Sequence, residues 1–490
     1  MIAKIIQLGL IIFFILPFAA LIYYFHGQLT FDLSEIVSAL INSVVQGFWV
    51  SLIAVVFGFF CSFYILSLSS QPRKLLQKIC IIPSVLPSLF TILIAFTIIQ
   101  PFPMGNVGVI IVLAFIYSGY ILSLFSQAIA DDVRAFLPIG LVYGLNRAQF
   151  YRVILIKHGR YLVFLALIVF ISTLTAFTVP MIVSGGHSRN LEILIYEKMF
   201  TEFKWSAALG IGLIQQLVIG FSILQLSKHH SSQAQTIGIT TETLSLKKYS
   251  SVVYGLAVLA YLFSYLGSYI YLLIRAVQSP FIHQVFNTEL YTAISSSFFF
   301  FLTNTSVFFV IFICLLYLLW HLKSIVFLNF FTYMSTMLVA ACLFFWGESD
   351  YVFLNYLKLS YIFNVLFFVS LYKLSLENKL QDLTNQKMLS KIYNISFSHF
   401  LFKILFPQLQ NQFYYLLTYL SIMSLSEFAI IKISGSSIRT LGSVMASYLS
   451  SYRIEGAFVV SCIMIGLWFV SIAVYHLILS GGKFGFNKKS

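Results

Sequence analysis

The sequence predicts an all-α integral membrane protein, and two observations lead to that prediction. Of its 490 residues, 60% are hydrophobic and only 9% are charged, and the mean hydropathy is +0.95. A soluble globular chain carries about 25% charged residues, so this chain cannot cover the surface of soluble domains. Its apolar residues also fall into runs of about 20 or more, the length that a helix needs to cross the hydrocarbon core of a bilayer.

Twelve apolar runs are long enough to be membrane-spanning helices. Those of the first half cover residues 4–25, 40–68, 78–100, 107–129, 160–184 and 205–226. Those of the second half cover residues 251–275, 289–320, 324–346, 352–375, 408–431 and 456–480. The first run is long enough to span and lacks a small-x-small cleavage pattern, so we expect a retained helix rather than a signal peptide.

The distribution of Lys and Arg predicts that both termini lie in the cytoplasm. With the N-terminus inside, the inside segments hold roughly three times as many Lys and Arg as the outside segments, and basic loops resist translocation. The net charge of +14 therefore follows from topology and does not indicate nucleic acid binding. The five cysteines each stand alone in an apolar run, without the spacing of a metal site or a redox pair.

Shifting the chain by 250 residues aligns its two halves. The aligned pairs include Ser184-Gly185 with Ser434-Gly435, Arg189 with Arg439, and Leu191 with Leu441. We predict two six-helix repeats in the same orientation, residues 1–230 and 251–490, joined by a cytoplasmic linker over 231–250. A path for a solute is expected between the two repeats.

Two inside segments are much longer than the short inside loops, and both occupy the same place in their own half. They cover residues 131–160 and 376–407. Large apolar residues recur in them at near-helical spacing between basic groups, which predicts a helix lying in or under the membrane surface.

These two segments resemble the cytoplasmic loop of permease subunits of binding-protein-dependent ABC importers. That loop carries the pattern E-A-A, three residues, G, nine residues, I-x-L-P. In the first segment Gly144 takes the glycine place and Ile154 the isoleucine place, while Pro138-Ile139-Gly140 replaces the triplet. In the second segment Ile404 and Pro407 keep the closing pattern, and Asn394 stands in the glycine place.

Three other places are similar to the thiamine and ferric-iron permeases, in which one chain supplies both halves. They are the proline-bearing segment around Pro83 and Pro87, the outside loop containing residues 191–196, and the last outside loop from Ser426 to Arg453. The resemblance implies a type I importer fold in a bacterial inner membrane. It also implies partnership with a dimeric ATPase subunit and with an extracellular substrate-binding protein.

The resemblance also implies which residues would carry the function. The expected contacts with the ATPase are Gly144, Asn146, Arg147, Arg152, Ile154, Asn394, Lys403, Ile404 and Pro407. For each basic residue among them, anchoring by the positive-inside rule is an equal alternative. No catalytic residue, metal site or cofactor is expected in this chain, since it lacks a Walker pattern and ATP would be bound by the partner. The expected cargo is thiamine or a related small solute, with ferric iron next.

Three charged residues are candidates for the path or its outer end: Glu427, Arg189 and Arg439. Placing a carboxylate at membrane depth costs free energy, and such a residue is often functional. Glu427 is predicted near the outer end of the eleventh span. The alternatives for Glu427 are an interfacial carboxylate exposed to water or an ion pair with Lys432, about one helical turn away.

Two other classes of function stay open from the sequence. A secondary carrier can also contain twelve spans in two parallel halves, although the loop over 69–78 lacks the G-x-x-x-D-R/K pattern of major-facilitator carriers. A membrane enzyme acting on a lipid-linked substrate would need polar catalytic groups near one interface, and the acids and histidines do not cluster in the sequence.

Overall fold

The computed structural model describes an entirely helical arrangement. The described residues are 23, 33–229 except 187, 251–321 except 280 and 281, 351–364, 393, 395–400, 403, 406–434 and 438–481. In this part of the chain, seven helices are long and apolar enough to cross a membrane, or eight if one bent pair is a single span. The prediction of an all-α membrane protein is confirmed at this level. The predicted ninth span (324–346), the linker and, except for residue 23, the predicted first span (4–25) lie outside the described residues.

The N-terminal half contains nine described helices. Their bounds are α1 Leu33–Ser67, α2 Ser70–Val85, α3 Ser88–Ile98, α4 Asn106–Ala128, α5 Ala130–Val142, α6 Arg147–Leu174, α7 Thr178–Val183, α8 Leu191–Phe200 and α9 Trp205–His229. Short helices α7 and α8 stand between the long helices α6 and α9, so the predicted outside loop is itself helical.

The C-terminal half shows the same kind of alternation. Its described helices are α10 Val252–Gln278, α11 Ile282–Val285, α12 Thr288–His321, α13 Phe397–Phe400, α14 Phe406–Leu425, α15 Ala429–Ser434, α16 Leu441–Ser450 and α17 Ile454–Gly481. Residues 352–364 are helical as well. As in the N-terminal half, two short helices, α15 and α16, follow a long helix and precede the last one.

The predicted third span over 78–100 is not one straight helix. It is divided into α2 and α3, whose axes differ in direction by 99°. Pro87 has no backbone N–H, and a residue that precedes proline is driven out of the helical region. Leu86 accordingly has φ −67° and ψ 147°, an extended conformation.

The first of the two long segments that were predicted to lie inside also differs from the expected single surface helix. It contains α5 and the first turns of α6, separated by a tight turn at residues 143–146. No proline interrupts residues 147–174, so α6 continues from this segment directly into the membrane span. The segment is therefore a helical hairpin whose second arm is also a membrane helix.

The packed core of the N-terminal half forms around α1, which packs against α4 and α6. A Cβ atom placed on Gly58 of α1 would lie 2.5 Å from a side-chain carbon of Ile121 of α4. Glycine therefore allows these two helices to approach more closely than any other residue would permit, as is typical of small residues in membrane helix pairs.

Helix α10 belongs to the C-terminal half but packs against α1 and α3 of the N-terminal half. Its buried stripe includes Tyr261 and Tyr265. The Tyr261 hydroxyl donates to the carbonyl oxygen of Phe115 at 3.1 Å, and the Tyr265 hydroxyl lies 3.0 Å from Thr91 Oγ1. Tyr265 also stacks on the Phe115 ring with a centroid distance of 4.9 Å. A ridge of tyrosines thus joins the two halves of the chain.

Candidate functional site

The turn between α5 and α6 contains Gly144 in a left-handed conformation. Its φ is +63°, and a Cβ atom there would meet nothing within 4 Å, so the requirement for glycine is conformational and not steric. The Leu145 N–H donates to the Gly140 carbonyl oxygen at 2.9 Å across this glycine. This bond satisfies a carbonyl at the end of α5, as expected for a helix that ends at a left-handed residue.

Asn146 begins α6 through a reciprocal pair of hydrogen bonds. The Gln149 N–H donates to Asn146 Oδ1 at 2.8 Å, and the Asn146 N–H donates to Gln149 Oε1 at 3.0 Å. Such a capping box satisfies two backbone donors that the helix itself leaves without partners. The turn therefore has a defined geometry on both sides, from the end of α5 to the start of α6.

The tip of this hairpin exposes an apolar surface. Val142 is 83% exposed and Tyr143 78%, and Ile139 and Leu141 in the last turn of α5 are exposed as well. We call these four residues the hairpin tip. A contiguous exposed apolar patch on a protein marks a site of interaction with a protein or a membrane.

The structure places the expected coupling residues of the first segment in two environments. Gly144, Asn146, Arg147 and Arg152 are all exposed, at the turn or on the first turns of α6. Ile154 is fully buried and belongs to the main hydrophobic core. Ile154 therefore anchors the hairpin to the membrane domain, while the other four residues lie at its surface.

A charged cluster that the sequence did not single out ties α5 to α6. Asp132 Oδ1 lies 2.7 Å from Lys157 Nζ, and Asp132 Oδ2 lies 2.7 Å from His158 Nε2. Lys157 Nζ also lies 4.9 Å from the centre of the Phe136 ring, within the range of a cation–π contact. The His158 side chain is buried. We call Asp132, Phe136, Lys157 and His158 the hairpin clamp.

The second expected coupling segment is described only in part. Lys403 and Pro407 are exposed, and Pro407 lies in the first turn of α14, where a helix tolerates proline. Asn394 and Ile404 lie outside the described residues.

Arg189 and Arg439 each form an ion pair in the loops that the sequence predicts to lie outside. Arg189 Nε lies 3.2 Å from Glu197 Oε2 and its Nη1 lies 4.0 Å from Glu35 Oε1, and Arg439 pairs with Glu289. Glu35 also lies 2.6 Å from Lys198 Nζ. Both arginines therefore join a loop between two short helices to the beginning of a long helix, and no described contact brings either of them to Glu427.

The pKa values in the cluster at the end of α8 reflect its ion pairs. Hydrogen bonds from Lys198 and Lys204 hold the pKa of Glu202 below its ordinary value. Burial alone would lower the pKa of Lys198, but its hydrogen bonds with Glu202 and Glu35 outweigh burial and raise it. Both shifts favour the charged forms, so Lys198 and Glu202 form a stable ion pair near neutral pH.

Glu427 is buried, with 7% of its surface exposed, and it lies between α14 and α15. Its Oε1 accepts the Ile430 N–H at 2.8 Å, and the N–H groups of Phe428 and Ala429 also hydrogen-bond to the carboxyl group. Thr440 Oγ1 donates to its carbonyl oxygen at 3.0 Å. The carboxyl group thus caps α15, in an environment different from the exposed or Lys432-paired alternatives, and Lys432 itself is exposed.

A second buried acid, Glu192, was not predicted as a site residue. It is fully buried in the first turn of α8, where Gln215 Nε2 donates to its Oε1 at 2.7 Å and to the Leu174 carbonyl oxygen at 3.1 Å. The available signal was the apolar sequence on both sides of Glu192, which is unusual for a loop exposed to water. Among the described residues, no group of three or more His, Cys, Asp or Glu could hold a metal ion.

A small cavity of about 10 Å³ lies where the two halves meet at the break between α2 and α3. It is lined by Leu86, Pro87 and Phe90 from the N-terminal half and by Ile422, Leu425, Ser426, Met464, Ile465 and Trp468 from the C-terminal half. We call it the interhalf cavity. Its volume corresponds to roughly one water molecule, so it is too small for a larger solute in this structure, although it is not fully enclosed.

No protein-family model, curated protein or solved structure matches the chain.

Proposed function

We propose that this chain is the permease subunit of an ABC importer in a bacterial inner membrane. It forms the translocation path and docks a separate ATPase dimer on its cytoplasmic side. The observation that carries the proposal is the α5–α6 hairpin, with its glycine turn, capped second helix and exposed apolar tip. It occupies the position at which the sequence resembles the coupling loop of these permeases.

The hairpin tip has the surface that docking into a soluble partner requires. Its apolar side chains are exposed, and Arg147 and Arg152 stand next to them. Apolar contacts can supply the binding energy, while the two guanidinium groups can pair with acids at the rim of a partner's cleft. ATP is bound by that partner, and this chain contributes no catalytic residue.

Force applied to the hairpin tip has a direct route to the membrane helices. The hairpin clamp makes α5 and α6 move together, and α6 continues into the membrane without a break. Tyr151 of α6 packs on Phe63 of α1 with a centroid distance of 4.4 Å and on Tyr254 of α10 at 6.4 Å. The hairpin therefore contacts both halves of the chain.

Recurring contacts support two like-oriented repeats and, with them, the twelve-span arrangement. The Leu191 N–H donates to Ser43 Oγ at 2.9 Å, and the Leu441 N–H donates to Ser297 Oγ at 2.8 Å. The ion pairs of Arg189 with Glu35 and of Arg439 with Glu289 recur in the same way. In both cases the residue on the long helix recurs after 254 positions and its partner after 250, as expected if both halves fold alike.

The proposed path runs between the halves, through the region of the interhalf cavity. The cargo is thiamine or a related small solute, with ferric iron second, and an extracellular binding protein delivers it. Both termini lie in the cytoplasm, which places the hairpin tip on the side of the ATPase.

The docking proposal is tested by substitution of two glycines. Gly144→Val places a β-branched residue at φ +63°, where it is strained, whereas Gly159→Ala introduces a Cβ that meets nothing within 4 Å. Each variant is reconstituted in liposomes with an ABC-type ATPase from the same organism, and ATP hydrolysis is measured. We expect Gly144→Val to lose at least about tenfold in stimulated hydrolysis while Gly159→Ala retains it. Equal stimulation by both variants contradicts the proposal.

Dependence of uptake on ATP or on an ion gradient distinguishes an ABC importer from a secondary carrier. Uptake of radiolabelled thiamine, and separately of ferric iron, is measured in the same liposomes with the binding protein added outside. We expect uptake to require ATP and to persist when ion gradients are collapsed with ionophores. Uptake driven by a gradient without ATP would assign the chain to the secondary carriers.

A further inference from the structure

Helix α3 is buried on every side at the centre of the described structure. All eight residues from Leu89 to Phe96 are buried, and the helix packs against α4 and α7 of its own half and against α10, α16 and α17 of the other half. An ordinary membrane helix at a bundle surface has one face toward lipid. A helix without such a face fills the space between neighbouring bundles.

The length and attachment of α3 leave it unable to span a bilayer by itself. Eleven residues cover about 16 Å of helix axis, against about 30 Å for a hydrocarbon core. Its N-terminal end meets α2 at the 99° break at Leu86 and Pro87. A short rigid segment that begins at an extended residue can rotate about that residue without disturbing the hydrogen bonds of either helix.

Two specific contacts hold α3 against the C-terminal half. Near its middle, Thr91 Oγ1 lies 3.0 Å from the Tyr265 hydroxyl oxygen, and both residues are buried. At its far end, the Phe96 ring stacks on Tyr452 with a centroid distance of 5.5 Å and an interplanar angle of 16°. Tyr452 lies between α16 and α17 and is 55% exposed.

Tyr452, which makes this contact, has an energetically unfavourable backbone conformation. Tyr452 has φ +55°, and among the described residues other than glycine only Phe203 shares a positive φ. A bulky residue in the left-handed region is strained, and here it ends α16, where the Arg453 N–H donates to the Tyr448 carbonyl oxygen at 2.9 Å across it. The end of α16 therefore sets the backbone conformation that presents the Tyr452 ring to Phe96.

We propose that α3 is a movable plug that closes the path between the two halves, held shut by the Thr91–Tyr265 and Phe96–Tyr452 contacts and turning about the Leu86–Pro87 break. The inference rests on the proposed function, because it presumes that a path exists between the halves. When α3 turns, Phe90 leaves the interhalf cavity and the side chains of the C-terminal half that line the cavity become accessible from the side on which Tyr452 lies.

The test measures the access of water-soluble reagents to the interhalf cavity. Ser426 lines the cavity and is buried, and Ser426→Cys is nearly isosteric. In a background whose five native cysteines are replaced by alanine, this cysteine is labelled in intact cells with a membrane-impermeant methanethiosulfonate reagent. We expect slow labelling with both contacts intact, and labelling about tenfold faster when Tyr265→Phe and Tyr452→Ala are combined.

Matched controls use the same residue types at other places. Tyr475→Phe removes a tyrosine hydroxyl that lies 3.2 Å from Thr305 Oγ1 within the C-terminal half, and Phe203→Ala removes the other aromatic residue with a positive φ. Both controls should leave the labelling rate unchanged. An unchanged rate in the Tyr265/Tyr452 variant, or an equal increase in the controls, overturns the proposal.

The single variant Tyr265→Phe loses only one oxygen atom and keeps the test decisive if the double variant does not fold. It should increase labelling by a smaller factor, and no increase would count against the plug. Labelling needs neither ATP nor cargo, so failure of the hydrolysis and uptake experiments would leave this result standing while removing the proposed function.

Discussion

At the base of the hairpin, Asp132 binds two cationic or hydrogen-bonding partners with its two oxygens, whereas its neighbour Asp131 is exposed and lies 3.7 Å from Arg134. Sequence alone presents these residues as two equivalent acids in the first turn of a helix. Only the packing of α5 on α6 distinguishes them, because it brings Lys157 and His158, 25 and 26 positions away, to one of the two carboxylates.

Asp132→Asn is expected to lower the free energy of unfolding by about 1–3 kcal/mol, since it weakens two charge-assisted contacts, one of them to a buried imidazole. Asp131→Asn, the matched control, should change it by less than about 0.5 kcal/mol. Thermal unfolding in mild detergent measures both. Equal effects of the two substitutions would show that the hairpin clamp does not stabilise the fold.

At Glu192, hydrogen bonding can be separated from charge by two substitutions. Glu192→Gln keeps an oxygen acceptor for Gln215 Nε2, while Glu192→Leu leaves one of the two buried N–H bonds of that amide without its acceptor. We expect Glu192→Leu to destabilise the protein by about 1–3 kcal/mol and Glu192→Gln to be tolerated, as judged by thermal unfolding. Equal loss in both variants would mean that the carboxylate charge itself is required.

On the scale of helices, the sequence predicted which segments are apolar and long but not where the third of them breaks. Apolar runs identified the spans that correspond to α1, α4, α9, α10, α12 and α17 because their length is set by the bilayer. Pro83 and Pro87 both lie in the third run, yet Pro83 remains inside α2 and only Pro87 ends a helix. Which proline breaks the chain depends on packing partners that are remote in sequence.

In the candidate site as well, some residues could be predicted from the sequence and others could not. Gly144 and Asn146 could be predicted because a turn glycine followed by a capping residue is a local signal. The hairpin clamp and Glu192 could not, since their partners come from other helices. Similarly, Ile154 was expected in the coupling loop with its exposed neighbours, and its burial depends on how α6 packs against the rest of the core.

The ion pairs at the end of α8 predict a pH dependence. The folded pKa of Glu202 lies below its ordinary value, so its stabilisation is present above the unfolded pKa of about 4 and is lost as the pH falls through the lowered folded value. The difference in unfolding temperature between the protein and its Glu202→Gln variant should therefore be largest near neutral pH and disappear in acid. A difference that stays constant into acid would contradict this assignment.

For the whole molecule, the interface between halves depends on close contacts at α10. A Cβ atom on Gly119 would lie 2.0 Å from the Cys80 carbonyl oxygen and 2.4 Å from the Tyr261 hydroxyl oxygen, whereas one on Gly220 would meet nothing within 4 Å. Gly119 thus permits α4, α2 and α10 to meet at one point.

If a protease site is inserted in the linker over 231–250 and the purified protein is cut, the two fragments should remain together in mild detergent. Gly119→Ala should reduce the fraction that co-purifies, because α10 can no longer seat against α2 and α4, and Gly220→Ala should not. Fragments that separate in the unsubstituted protein would show that the contacts made by α10 are weak.

The position of α10 also has a consequence for biosynthesis. The ribosome completes the N-terminal half before α10 is made, and until then the surface that Tyr261 and Tyr265 later cover lacks these contacts. Insertion of a single further helix closes that surface and gives the rest of the C-terminal half a template on which to assemble. The order of translation therefore sets the order of assembly, and a nascent chain arrested just before α10 should be the form most readily captured by membrane insertases and quality-control proteases.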